Sequence, residues 1–271
     1  MGTITKALDL LGFFSATRAE IGLSEFVRLA GRDKATVHRH LSELQQNGFL
    51  EQHPDTRAYR LGPALLRLAA VREGAFPMRA LLRPLVKELS ETVGELAHAS
   101  LLQADRLSPV VHADPRLHGT QVHFDESEML PLHATSSGLA VLAFGPEALR
   151  ARVLARPMSM HTGKTIVDPD RLRTLIEETR ATGISQLDGT FDAEVASQGA
   201  PLFGAGGHLV GAISVAVPGQ RADALRQREI AGHLLSAARA ASLSLGAREA
   251  DLPQVFRPAP TDTPQRTEVT G

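Results

Sequence analysis

The chain has no cysteine, no tryptophan and a single tyrosine among its 271 residues. Without cysteine there are no disulfides, thiolate nucleophiles or thiolate metal ligands. Aromatic residues make up 4% of the chain, so a pocket of stacked rings is a poor expectation for any ligand. An excess of either charge is missing too, with 29 basic residues against 30 acidic and a net charge of -1. That balance excludes a general polyanion binder but not a local basic patch. No stretch approaches the roughly 20 apolar residues of a membrane span, and no basic segment followed by an apolar run opens the chain. A cytoplasmic protein with no membrane partner is expected.

What is present centres on residues 34–48. Val37, Leu41 and Leu44 recur at the spacing of one buried helical stripe. Thr36, Arg39, His40 and Glu43 fall on a different face, about 110° away. Asp33 suits the N-cap, and Gly48 suits the left-handed residue that ends a helix. Such a face is ordinary solvated surface on an isolated helix; its neighbours decide whether it reads a DNA groove.

Upstream, Ile4, Ala7, Leu8, Leu11 and Phe14 predict a helix over 3–15 capped by Thr3 or Thr5, and Ser24 can cap a second helix through Ala30. Gly31-Arg32-Asp33 makes the tight turn of a helix-turn-helix. Downstream, residues 49–52 and 58–61 read as two strands around a turn-rich linker, the wing, with Arg57 near its tip. Residues 63–73 and a second helix with Leu81, Leu85, Leu89 and Val93 follow, interrupted at 74–77. Beyond them, strands are expected at 96–102, 107–113, 120–123 and 209–217, and helices at 135–143, 169–182 and 222–246. This order suggests an α+β domain with an antiparallel sheet. The boundaries expected are 1–62 for the winged helix, 63–76 for a linker helix, 77–250 for the second domain and 251–271 for a proline-rich disordered tail.

These elements and several short motifs together resemble the IclR family of bacterial transcriptional regulators. The resemblance rests on Lys34-Ala35-Thr36-Val37-His38-Arg39-His40-Leu41, on Gly48-Phe49-Leu50 and on Tyr59-Arg60-Leu61-Gly62-Pro63. In the second domain it rests on residues 130–138, on Thr165-Ile166, on Gly183-Ile184 through Glu194, on Ala200-Pro201, and on Ala212-Ile213-Ser214 ending at Pro218. The family implies an N-terminal winged helix-turn-helix, a linker helix, and a GAF-like C-terminal domain that binds small organic molecules, in a homodimer or homotetramer. Here Leu139-Ala140 follows Gly138 where the family commonly has Gly-Lys-Ala.

The DNA-contacting residues expected are Lys34, Thr36, His38, Arg39, His40 and Arg57, because Arg and Lys pair with guanine edges or phosphates and Thr can meet a thymine methyl. The effector-binding residues expected are Thr135, Ser136, Ser137 and Gly138, whose helix start suits a carboxylate, with Asp188, Asp192, Glu194, Ser197 and Ser214 for the other wall. Thr135 or Ser136 also reads as a plain N-cap; the resemblance is what places the pocket there. No cofactor, metal or catalytic activity is expected. Gly163-Lys164-Thr165 lacks the rest of a phosphate loop, and His112, His118, His123 and His133 read as surface or loop histidines. The function expected is control of a catabolic operon through a palindromic double-stranded operator, in response to a small oxo acid of the glyoxylate or pyruvate kind. The alternative is a small-molecule sensor or enzyme whose winged helix makes protein contacts.

Overall fold

The computed structural model describes residues 2–15 and 17–256, which form two units: the chain up to Ala80 with Phe124–Glu128, and Leu81–His123 with the chain from Met129 on. In the first, three helices, α1 (Thr3–Leu11), α2 (Leu23–Ala30) and α3 (Lys34–Gln46), precede a hairpin of β1 (Leu50–Gln52) and β2 (Tyr59–Leu61), then α4 (Ala64–Ala75). Gly31 ends α2 at φ 58°, and Asp33 Oδ1 accepts the Thr36 N–H at 2.9 Å to open α3. Such a cap contributes about 1 kcal/mol. Gly48, at φ 74°, turns the chain out of α3 into the wing. Phe26 centres the core, edge-on to Phe14 at 5.7 Å and to Tyr59 at 6.1 Å, with Leu10, Ile21, Val37, Leu41 and Leu50 around it. Ile21 and Tyr59 exchange two backbone hydrogen bonds of 2.9 Å. The wing is therefore stitched to the segment before α2.

Some boundaries differ from expectation. α1 stops at Leu11 and is entered from Gly2, and α2 is entered from Gly22, so neither uses a side-chain cap.

The second unit is entered through α5 (Met78–Val93) and continues with β3 (Leu96–Gln103), β4 (Arg106–Ala113), β5 (Leu130–Pro131), α6 (Ser136–Phe144), α7 (Glu147–Leu154), α8 (Pro169–Thr182), β6 (Ser185–Asp188), β7 (Val195–Phe203), β8 (Leu209–Pro218) and α9 (Ala224–Ser244). The six strands lie in the order β5-β4-β3-β8-β7-β6, each pair antiparallel. Strand alternation puts Ala97, Ala99, Ala200, Leu202, Ile213 and Val215 on one face, where Leu82, Val86 and Leu89 of α5 and Ile230, Leu234 and Ala238 of α9 bury them. The other face takes α6, with α8 packed on α6 in turn. Residues 136–143 are accordingly buried all round.

Residues 120–123 form no strand. Arg221 holds that segment instead, donating from Nη1 to Thr120 O at 3.0 Å while its Nε and Nη2 grip the buried carboxylate of Glu95 at 2.8 and 2.7 Å. At the other end, Phe256 is buried against Phe144 and Phe203, so the segment expected to be a disordered tail is packed up to this residue. The remainder of that tail lies outside the described residues.

α6 meets β7 so closely that a Cβ on Gly199 would lie 2.7–2.8 Å from backbone atoms of Ser136 and Ser137. Overpacking of this kind costs about 1–3 kcal/mol. Gly199→Ala is expected to lower stability by about 2 kcal/mol in urea unfolding, and an unchanged midpoint would contradict this packing.

Candidate functional site

In the first unit, α3 buries Val37, Leu41 and Leu44 and leaves Lys34, His38, Arg39 and Glu43 exposed, with Thr36 half-buried. Of the basic residues nearby, Arg32 is committed to α1: it reaches Asp9 and Lys6 O, both at 2.9 Å. Arg28 lies 3.5 Å from Glu25. Lys34 and Arg39 have no ion pair among the described residues. Arg57 is exposed at the wing turn with φ 59°, its carbonyl held by Gln52 Nε2 at 2.6 Å. That bond fixes the loop backbone and leaves the guanidinium outward.

His40 departs from expectation. It is 3% exposed, and both ring nitrogens are buried without a hydrogen-bond partner. At 100° per residue it follows Val37 by three positions, so it extends the core stripe rather than the polar face. Burial, with the charges of Arg39, Arg32 and Lys6 adding to it, pushes its pKa below the usual histidine value. His40 is a neutral core residue.

In the second unit the α6 N-terminus and the sheet beneath it form one polar constellation. Thr135 caps α6, its Oγ1 accepting the Gly138 N–H at 3.1 Å and donating to Pro131 O at 2.8 Å. The N–H groups of Ser136 and Ser137 have no acceptor among the described residues. Gly138 has a packing role, because a Cβ there would lie 2.4 Å from the Leu132 Cα. Across the sheet, Ser185, Gly199, Ser214, His98 and His112 stand opposite one another in a single row over five strands. Gly199 touches the α6 backbone, so the row faces α6. Ser185 Oγ sits 2.6 Å from Ser136 O and 3.0 Å from Gly199 O. Ser214 is fully buried, and its Oγ has no partner. Ser197, half-buried, lies two residues from Gly199 on this face.

The acids are not brought to this wall. Asp188 and Glu194 are exposed; Asp188, opposite Ala196, lies on the other sheet face, 3.7 Å from Lys164. Asp192, also exposed, accepts the Glu194 N–H at 3.0 Å. A four-residue strand has room to bury alternate residues only, and here those are Ser185 and Leu187.

His98 was not among the residues expected at this site. It is buried, its Nδ1 3.2 Å from Ser100 Oγ, and its pKa falls to about 4 through burial and then the proximity of His112. Two polar residues in phase within Leu96-Ala97-His98-Ala99-Ser100 were the available signal. His133, expected as a surface or loop histidine, lies in the loop before α6 but is buried, with Nε2 2.9 Å from Ser159 O. It belongs to a strap that passes the α6 start: Thr190 Oγ1 donates to Ala134 O at 2.7 Å, Thr165 Oγ1 to Thr190 O at 2.7 Å, and the His161 ring lies 5.0 Å from Phe191. Two unbonded amides and an unpartnered hydroxyl are groups that can hold an anion and an adjacent polar oxygen without any cationic side chain.

A winged helix-turn-helix joined to an α+β domain with a buried polar site defines a ligand-responsive class of DNA-binding proteins. Comparison with known proteins makes the class specific. The helix-turn-helix domain of IclR matches residues 3–54, and the C-terminal domain of the bacterial transcriptional regulator IclR matches residues 74–243. The HTH-type transcriptional regulator Rv1719 of Mycobacterium tuberculosis is 31% identical over 86% of this chain and 88% of its own. The crystal structure of a candidate IclR regulator from Silicibacter sp. TM1040 is 42% identical, with a TM-score of 0.85 over 95% of this chain and all of that one. An IclR homolog from Microbacterium hydrocarbonoxydans, complexed with 4-hydroxybenzoate, shares the fold at 24% identity and a TM-score of 0.75, covering 90% of this chain and 99% of its own. The chain belongs to the IclR family of transcriptional regulators, which are not enzymes.

Both lowered histidines have a consequence for stability. Between pH 6.5, the unfolded value, and the lower native pKa, the unfolded chain binds protons that the folded chain refuses. Stability therefore rises with pH through that window and falls on acidification. The urea midpoint is expected to drop between pH 7 and pH 5. His40→Leu, which removes two unsatisfied nitrogens, is expected to raise winged-helix stability by about 1–2 kcal/mol and flatten its share of that dependence. A destabilised His40→Leu would contradict the core assignment.

Proposed function

We propose that the chain regulates a catabolic operon by binding a palindromic operator as a homodimer or homotetramer, and that a small organic acid controls it. The observation that carries the reading is the exposed face of α3. Arg39, His38 and Lys34 stand free on a helix whose other side is core, and Arg57 projects from the adjacent wing. Arg39 reads a base edge, Thr36 and His38 flank it, and Lys34 and Arg57 contact phosphates. Exposed apolar residues of the same unit support self-association: Ile4 and Leu8 on α1, and Leu66 and Val71 on α4, range from 52% to 76% exposed. A regulator of this kind works in the cytoplasm.

The effector's carboxylate sits at the Ser136 and Ser137 amides, and its second oxygen at Ser214 Oγ, with Ser197 alongside. Ser214 stands one strand beyond Gly199, about 5 Å across the sheet. That step suits a short oxo acid such as glyoxylate or pyruvate. The longer hydroxy acid bound by the Microbacterium protein is the natural comparison ligand.

Arg39→Ala is expected to weaken operator binding by about 1–3 kcal/mol while leaving the melting temperature and oligomeric state unchanged, as read by mobility shift at several salt concentrations. Loss of folding would contradict a surface role, and unchanged affinity would contradict base contact. A thermal-shift series with glyoxylate, pyruvate and 4-hydroxybenzoate is expected to show stabilisation by at least one acid. Ser214→Ala should reduce it; a full response in that variant would place the ligand elsewhere.

A further inference from the structure

Consecutive residues of β7 face opposite ways, and Gln198, next to Ser197, turns away from α6. It is 5% exposed and lines a groove of roughly 570 Å³ at the β6 edge of the sheet, between α8 and α9. Leu139, Leu175, Ile184 and Leu235 give the groove an apolar lining. Three side-chain amides cross it in a relay. Gln198 Nε2 donates to Gln186 Oε1 at 3.0 Å, and Gln186 Nε2 donates to Gln227 Oε1 at 2.8 Å. The relay uses one end of the Gln198 amide and leaves the other, Oε1, buried with no partner. An orphaned buried acceptor costs about 1–3 kcal/mol, so its retention beside an open groove calls for an occupant.

We propose that this groove is a second small-molecule site, distinct from the one at the α6 N-terminus, and that it takes an uncharged, mainly apolar molecule whose hydroxyl bonds the Gln198 amide. The volume lies within the roughly 300–1,000 Å³ of small-molecule pockets. The polar anchor is a lining side chain that is almost wholly buried, beyond the reach of a flat protein face. The two charged lining residues, Glu178 and Arg228, are of opposite sign and select no net charge. An ion here would meet a like charge as well as an opposite one in the lining, and beside the buried Gln198 it would bear a desolvation cost that a neutral molecule avoids. A hydroxyl is the group that fits because the relay can run in either direction. Reversing all three amides exchanges the orphaned oxygen for an orphaned N–H, and a hydroxyl pairs with both.

Benzyl alcohol and its methyl ether probe the assignment, since they share an apolar body and differ in the donor. Titration calorimetry on the full chain is expected to show the alcohol binding at least tenfold more tightly than the ether. Gln198→Leu should bring that ratio close to one. Ala224→Trp, at an exposed position on the groove wall, should abolish binding of both without loss of operator affinity; Ala231→Trp serves if the first variant fails to fold. Equal binding of the two probes by the unmodified protein, a preference that survives Gln198→Leu, or binding that survives a well-folded tryptophan variant would overturn the proposal. So would a change of oligomeric state in a tryptophan variant of a protein that binds neither probe, which would make the groove a contact between copies.

Discussion

The second domain depends on one close approach, that of the first turn of α6 to β7. Gly199 is the residue that permits it, because no side chain fits between the strand and the Ser136–Ser137 backbone. The approach brings the positive end of a helix onto a sheet row whose other members are Ser185, Ser214 and His98. Ser185 consumes the Ser136 carbonyl, so the helix start is held by hydroxyl groups on both sides. What it leaves unbonded is a pair of amides and one serine oxygen. A helix end with unmet donors is a cost to folding alone and an asset to binding. The same glycine that makes the packing possible therefore makes the proposed site possible.

The winged helix shows a different economy. α3 has 13 residues and must supply both a core stripe and a face for a partner. Three apolar residues and the buried His40 fill the first task, which leaves a narrow outer strip of Lys34, His38 and Arg39. Arg32, close by in sequence, braces α1 instead through Asp9 and Lys6 O. Counting basic residues between 28 and 40 therefore overstates the charge available to a phosphate. Position on the helix decides the outcome, and composition does not.

The same distinction explains what could be read from the chain alone. The helix-turn-helix was legible because its signals are local: the Asp33 cap, the left-handed Gly31 and Gly48, and a stripe at helical spacing. β6 and β7 were read as motif rather than as strands, since Ser185-Gln186-Leu187-Asp188 and Val195-Ala196-Ser197-Gln198-Gly199 have little β-branched or aromatic character. β7 takes its pairing from β8, whose strongly apolar run sets its register through tertiary contact, and β6 adds to β7 in turn. Asp188 was misplaced for the related reason that strand parity cannot be assigned until the strand is recognised. His40 was misplaced because a helical wheel with 100° steps blurs the border between faces, and a histidine there is read as polar by type. Ser136 and Ser137 were expected at a pocket only through family resemblance, since serines at a helix start are more often simple caps.

Parity on β7 also separates the two polar features of the domain. Ser197 and Gly199 serve the face under α6, while Gln198 between them serves the groove beside α9. A strand that contributes adjacent residues to two opposite faces couples them mechanically: any shift of β7 that changes one face changes the other by the same rigid displacement. β7 is held by β8 along its whole length and by β6 over residues 196–199, so such a shift must carry β6 and β8 with it. The sheet therefore moves as a unit if it moves at all. With the effector at its proposed place under α6, a signal leaves through elements attached to the whole sheet, and α5 and α9, packed together across its back, are the ones placed to receive it.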